Sequence, residues 1–218
     1  MKHPGIFLIG LTGGIACGKS TVLAMLAALG ARTIDADRVT HRLQQPGTPV
    51  YEAIVEAFGP HILTAPGGVI DRRKLGEIVF NDPQALKQLE AIVHPVVRAE
   101  IRRFLHEVAG AGTYATRLRP VERPVVVIDA IKLIESGWAD ECDQVWVVTC
   151  PVEQQIERLI TTRGMSPAEA QARIAAQPPQ ESRLSRADVI IDNSGTQAQT
   201  RAQVEAAWQQ ALIASQGA

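Results

Sequence analysis

The chain has 218 residues, 46% of them hydrophobic, which is enough to bury a core in one domain with insertions and short for two independent domains. Lys and Arg number 22 against 23 Asp and Glu, a formal net charge of -1, which excludes a global basic field able to hold nucleic acid. The start MKHPGIFLIG is too short in apolar length for a secretion signal and no stretch reaches a membrane span, so a soluble, cytoplasmic protein is expected; the three cysteines, Cys17, Cys142 and Cys150, have neither disulfide nor zinc spacing.

Short apolar runs alternate with helical stretches, beginning with a strand at Ile6 to Gly10. The loop after it, Gly13-Gly14-Ile15-Ala16-Cys17-Gly18-Lys19-Ser20, satisfies G-x-x-x-x-G-K-[ST] between a strand and an amphipathic helix. Glycines allow successive N–H groups to turn inward around an anion, and the following helix N-terminus adds positive potential. In this pattern Lys19 supplies charge to the β- and γ-phosphates of ATP, Ser20 ligates Mg2+, and Thr21 donates to an α-phosphate. Cys17 is read as an inert small side chain, although a bulky adduct on its sulfur would obstruct the loop.

Val22, Leu23, Met25, Leu26 and Leu29 form the helical stripe, which Gly30 ends. A second strand, Arg32 to Asp35, runs into Ile34-Asp35-Ala36-Asp37. Ligands of open α/β sheets bind at strand carboxyl ends, so Asp37 is a candidate base for an acceptor hydroxyl and Asp35 a second acid near the substrate. Each acid also suits the cap of a helix starting near Arg38. About ninety residues of mainly helical sequence follow, too many for a simple crossover, punctuated by Pro49, Thr64 to Gly68, Asp82-Pro83 and His94-Pro95. They read as a helical acceptor-binding flap. Gly110 to Pro124 reads as an aperiodic surface loop.

Val125 to Ile128, a third strand, ends in Asp129, for which a metal-proximal and a structural role stand equally. After a fourth strand, Gln144 to Thr149, a helix begins near Pro151 and breaks at Arg163-Gly164; Ser166-Pro167-Ala168-Glu169 restarts another as a capping box, and Pro178-Pro179 stops it. These helices read as a lid. A fifth strand, Val189 to Asp192, and a helix from about Gln197 to Ala214 complete an α/β unit: a P-loop five-stranded parallel sheet flanked by helices, with an acceptor-binding insertion and a lid. The expected division within this single unit is 1–37 with 125–150 and 187–218 as nucleotide-binding core, 38–124 as acceptor region and 151–186 as lid.

Gly10-Leu11-Thr12-Gly13-Gly14-Ile15, Asp35-Ala36-Asp37, His94-Pro95 and Ala187-Asp188-x-x-x-Asp192-Asn193-x-Gly195 together resemble the dephospho-CoA kinase family. That resemblance implies transfer of the γ-phosphate of ATP, with Mg2+, to the ribose 3′-hydroxyl of dephospho-CoA, without nucleic-acid or membrane partners. It implies Asp37 beside the acceptor hydroxyl, Arg163 as a lid arginine and Asn193 near the adenine pocket. Arg72, His94 and Arg98 are candidates for holding the acceptor. Where the family usually shows Pro-Leu-Leu-Phe-Glu after the third strand, this chain has Ile131-Lys132-Leu133-Ile134-Glu135, so Lys132 and Glu135 join the acceptor candidates in altered surroundings. Two other readings remain: another small P-loop kinase, acting on a nucleoside, nucleotide or small metabolite, and a non-catalytic nucleotide-binding protein. A GTPase switch would need a guanine-reading N-K-x-D tetrapeptide, which the sequence lacks.

Overall fold

The computed structural model describes residues 3–110, 114–115, 120–121 and 123–216. Five strands form one sheet: β1 (Phe7–Gly13), β2 (Arg32–Asp35), β5 (Val125–Asp129), β6 (Gln144–Thr149) and β7 (Val189–Asp192), in the order β2-β5-β1-β6-β7. β1 pairs in parallel with β5, Leu11 opposite Asp129, and with β6, Gly13 opposite Val148; β6 pairs in parallel with β7. Every residue of β1 and β5 is buried, which explains why these strands read as continuous apolar runs rather than alternating ones.

Helices α1 (Lys19–Leu29) and α10 (Gln197–Gln216) pack on one another and on the sheet, closing a core of Phe7, Ile9, Val22, Leu26, Trp146 and Trp208. Two aspartates fix strand starts from outside their own strands. Asp143 Oδ2 accepts the Leu8 N–H at 2.8 Å, and Asp188 Oδ2 accepts the Val145 N–H at 2.7 Å. Gly30, with φ 110°, ends α1 in the left-handed conformation that a glycine C-cap supplies.

Contacts divide the chain into one unit of residues 1–34 with 105–218 and a second of residues 35–104. The second unit holds α2 (Ala36–Leu43), α3 (Pro49–Phe58), a 3-10 turn at Pro60–Ile62, α4 (Arg72–Asn81) and most of α5 (Pro83–Gly110). Its helices start where capping chemistry places them: Thr48 and Pro49 open α3, and Asp71 accepts from the N–H groups of Arg73 and Lys74 at α4. His94-Pro95 does not interrupt the helix as expected. α5 runs 28 residues with Pro95 inside it. The expected aperiodic loop at 110–124 lies partly outside the described residues, and its described part contains a two-stranded antiparallel ladder, β3 (Tyr114–Ala115) with β4 (Pro120–Val121).

In the first unit α6 (Trp138–Glu141) precedes β6, and α7 (Val152–Arg163), α8 (Pro167–Ala175) and α9 (Gln180–Leu184) follow it. Gly164, φ 63°, ends α7, and Ser166 with Glu169 forms the reciprocal capping box at α8. No helix of the described residues is long and apolar enough to cross a membrane.

β1 reaches three residues beyond Gly10, and its last residue has no room for a side chain: a Cβ on Gly13 would lie 2.5 Å from the Val148 carbonyl oxygen. Gly13→Ala is expected to lower stability by about 1–3 kcal/mol, since backbone must move to admit the methyl group. A urea titration checks it; an unchanged midpoint would show that the strands part freely there.

Candidate active site

The chain turns at the carboxyl end of the central strand, between β1 and α1. Cys17 N–H donates to Gly14 O at 3.2 Å, and Ala16 and Gly18 take φ values of 59° and 89°. Ala16 is the one non-glycine with positive φ among the described residues, a conformation costing a residue with a Cβ roughly 1–2 kcal/mol. Thr21 N–H makes the first bond of the helix, to Gly18 O at 3.0 Å, so Gly18, Lys19 and Ser20 precede it with N–H groups that have no partner within the helix. Such a row of donors at a helix N-terminus is an anion site.

Side chains from other elements back this loop. Asn193 Nδ2 donates to Cys17 O at 2.8 Å, and Arg158 Nη1 donates to Ala16 O at 3.2 Å. Arg158 Nη2 also donates to Asn193 O at 2.8 Å, and Thr200 Oγ1 donates to Asn193 Oδ1 at 2.8 Å. Lys19 Nζ forms an ion pair with Asp129, the buried last residue of β5. Asp129 therefore touches the loop lysine, a contact its place at the end of a buried strand left open.

A cavity of about 590 Å³ adjoins the loop, lined by Gly14, Cys150, Gln155, Gln177, Arg183 and Asp192 among others. Arg183 is only 4% exposed; its Nη1 donates to Pro178 O at 3.2 Å and its Nε has no partner. A buried guanidinium held by a single carbonyl favours an anion in the space it faces. Asp192, which lines the same cavity together with Glu181, accepts the Ser194 N–H at 2.9 Å. Gln177, between α8 and α9, accepts the Ile15 N–H at 3.0 Å, so a residue from that connection holds one donor of the phosphate loop.

All three cysteines are free and buried. The Cys150 thiol donates to Cys17 and holds the Cys17 pKa down to about 7 against the opposing effect of burial, with the Arg158 charge assisting. The same hydrogen bond, together with burial, pushes Cys150 up.

The structure thus brings Gly13 to Thr21 together with Asn193, whose amide lies on the loop's outer side. Arg163, the last residue of α7, is exposed. Lys132 and Glu135 lie exposed on the turn after β5, which Thr12 Oγ1 holds by donating to Ile131 O at 3.2 Å, while Leu133 is fully buried. In the second unit Asp35 caps α2, accepting Arg38 N–H at 2.9 Å, and Asp37 sits exposed in the first turn of that helix. Arg72 Nη2 contacts His41 Nδ1 at 2.5 Å; His94 and Arg98 lie one turn apart on α5. Arg158 and Gln177 were invisible to motif reading because their loop partners lie 142 and 162 residues away; Arg183 and Thr200 have near partners, Pro178 and Asn193, and their burial is what gives them importance.

A glycine-rich turn closing the central strand of a parallel sheet, its lysine at the first helical residue, defines a P-loop kinase. The sequence model of the dephospho-CoA kinase family matches residues 7–199, and the chain belongs to that family. The dephospho-CoA kinase of Symbiobacterium thermophilum is 53% identical over 204 residues, which cover 94% of this chain and 81% of that protein. Among solved structures, a Thermus thermophilus protein superposes with a TM-score of 0.80 at 32% identity, covering 96% of this chain and 98% of its own. The dephospho-CoA kinase from Campylobacter jejuni does so at 0.67 and 29%, covering 95% and 98%.

An anion reaching the Ile15 N–H must displace Gln177, so Gln177→Ala is expected to tighten ATP binding about threefold. Calorimetry reads this directly, and weaker binding would show that Gln177 holds nucleotide instead. Removing the thiol donor by Cys150→Ala should return the Cys17 pKa upward from about 7. Thiolate absorbance against pH checks it: the parent protein ionises Cys17 as pH rises through that value and the variant only above it.

Proposed function

We propose that the protein transfers the γ-phosphate of ATP to the ribose 3′-hydroxyl of dephospho-CoA, giving coenzyme A and ADP. The observation that carries this reading is the phosphate loop with free N–H groups at Gly18, Lys19 and Ser20, in a chain whose family match covers residues 7–199. Metaphosphate-like transfer demands positioning and charge stabilisation more than covalent chemistry. Loop N–H groups and Lys19 bind the β- and γ-phosphates, Lys19 exchanging Asp129 for them, and Thr21 serves the α-phosphate. Asn193 belongs to the same nucleotide site.

Mg2+ suits the oxygen donors here: the Ser20 hydroxyl at the head of α1, with the Asp129 carboxylate on the strand beside β1. When bound, the ion neutralises charge between the β- and γ-phosphates. Arg163 and the buried Arg183 supply further positive charge to the transferred group. Asp37 accepts the proton of the attacking hydroxyl, and Asp35 holds the start of its helix. Arg72, His94 and Arg98, with Lys132 and Glu135, hold the acceptor.

Incubation with Mg-ATP and dephospho-CoA, followed by mass, is expected to show coenzyme A and ADP, with no phosphate on shikimate or AMP. Asp37→Asn should lower kcat about a hundredfold or more while ATP binding is kept. Turnover of another acceptor would assign a different small-molecule kinase, and ATP binding with no turnover of any acceptor would assign a binding protein.

A further inference from the structure

We infer that Arg158, Asn193 and Thr200 are positioning residues that aim the phosphate-binding N–H of Gly18 and keep the Cys17–Gly14 turn by holding two consecutive carbonyls of the loop. The inference rests on the nucleotide-binding reading above and adds residues to it; it also gives Asn193 a task on the loop rather than on the adenine ring.

Peptide planarity carries the reasoning. The described chain has no cis peptide, and in a trans peptide the C=O and the next N–H point in opposite directions. Asn193 Nδ2 holds Cys17 O at 2.8 Å, so the Gly18 N–H is aimed away from Asn193. Arg158 Nη1 holds Ala16 O at 3.2 Å, which sends the Cys17 N–H the other way, to Gly14 O at 3.2 Å. These two peptides flank the positive φ of Ala16 and Gly18, the part of the loop that backbone preference alone would not keep, at least at Ala16. Charge-assisted donation by a guanidinium is the stronger kind of hydrogen bond, and it is placed on the residue with the least favourable conformation.

Each clamp residue is itself held. Thr200, fully buried in α10, donates to Asn193 Oδ1 at 2.8 Å, which fixes the amide with its NH2 toward Cys17. Arg158 reaches Asn193 O at 2.8 Å and Gln154 Oε1 at 3.3 Å, tying α7 to the loop after β7. Contact is close: a Cβ on Gly18 would lie 2.0 Å from Asn193 Nδ2. The phosphate loop is thereby braced from α7, from the β7–α10 connection and from α10, three elements apart in sequence.

Three probes separate this role from an adenine contact: ATP, tripolyphosphate and adenosine, titrated by calorimetry into the parent protein and into Asn193→Leu, Thr200→Val and Arg158→Lys. Asn193→Leu is close in size, adds no charge and loses the donor to Cys17 O together with the acceptor for Thr200. It is expected to weaken ATP and tripolyphosphate alike, on the order of tenfold, and to leave adenosine unchanged. Thr200→Val, which frees the amide to turn, should weaken both phosphate ligands less, and Arg158→Lys should do so by loss of its second donor. In turnover the loss should fall on KM for ATP. Adenosine weakened with tripolyphosphate unaffected would place Asn193 on the base and overturn the clamp. Equal binding of all three probes by variants and parent would overturn it as well. Absence of ATP and tripolyphosphate binding by the parent protein would remove the nucleotide reading and the clamp with it.

Discussion

Backbone amides bind an anion only when their dipoles cannot relax toward something else, and the rest of this molecule is arranged around keeping them fixed. Between Gly14 and Ser20 the chain gives up ordinary backbone preference at Ala16, turns at Gly18, and leaves N–H groups unspent at the head of α1. The opposing carbonyls are taken by side chains from α7 and from the connection after β7. The sheet supplies the platform. β1 lies between β5 and β6, where the chain leaves in opposite directions, and the crevice at that switch of direction is where an open parallel sheet receives ligands.

Charge around the loop follows the same economy. Lys19 is paired with Asp129 while Arg158 is held among carbonyl and amide oxygens, and Arg183 is buried with a single carbonyl partner at the adjoining cavity. Of these three cations Lys19 has a carboxylate partner, while Arg158 and Arg183 are held by neutral oxygens, with Glu181 and Asp192 lining the cavity that Arg183 also lines. The thiol pair adds a local term, since Cys150 keeps its proton at the expense of Cys17, inside the loop itself.

Much of the fold could be read from residue pattern because its signals are local. Gly30, Thr48-Pro49, Asp82-Pro83, Gly164 and the Ser166–Glu169 box each determine a helix end through hydrogen bonds within a few residues, and the buried strands declared themselves by unbroken apolar runs. Pro95 misled because a proline inside a helix is tolerated when packing on either side holds the turns, as Val93 and Val97 are buried here. The phosphate loop was legible from spacing, since its function is a property of its own backbone. Its supports were not: Asn193 lies 176 residues from Cys17 and Arg158 lies 142 from Ala16, separations across which no spacing rule operates. The acid of Ala187-Asp188 belongs to a recognisable motif, yet its task is to hold the N–H of Val145, the second residue of β6.

The chain passes between the two compact units inside regular secondary structure. The chain leaves the first at the end of β2, where Asp35 passes directly into α2, and returns inside α5, a continuous rod of about 42 Å at helical rise. Neither crossing is a flexible linker. Pro95 brings no N–H to that rod, so the helix has one hydrogen bond fewer at the turn it closes. Strand end and helix cap are therefore one residue, Asp35, and Asp37 two positions later takes its backbone position from a capped turn instead of a loop.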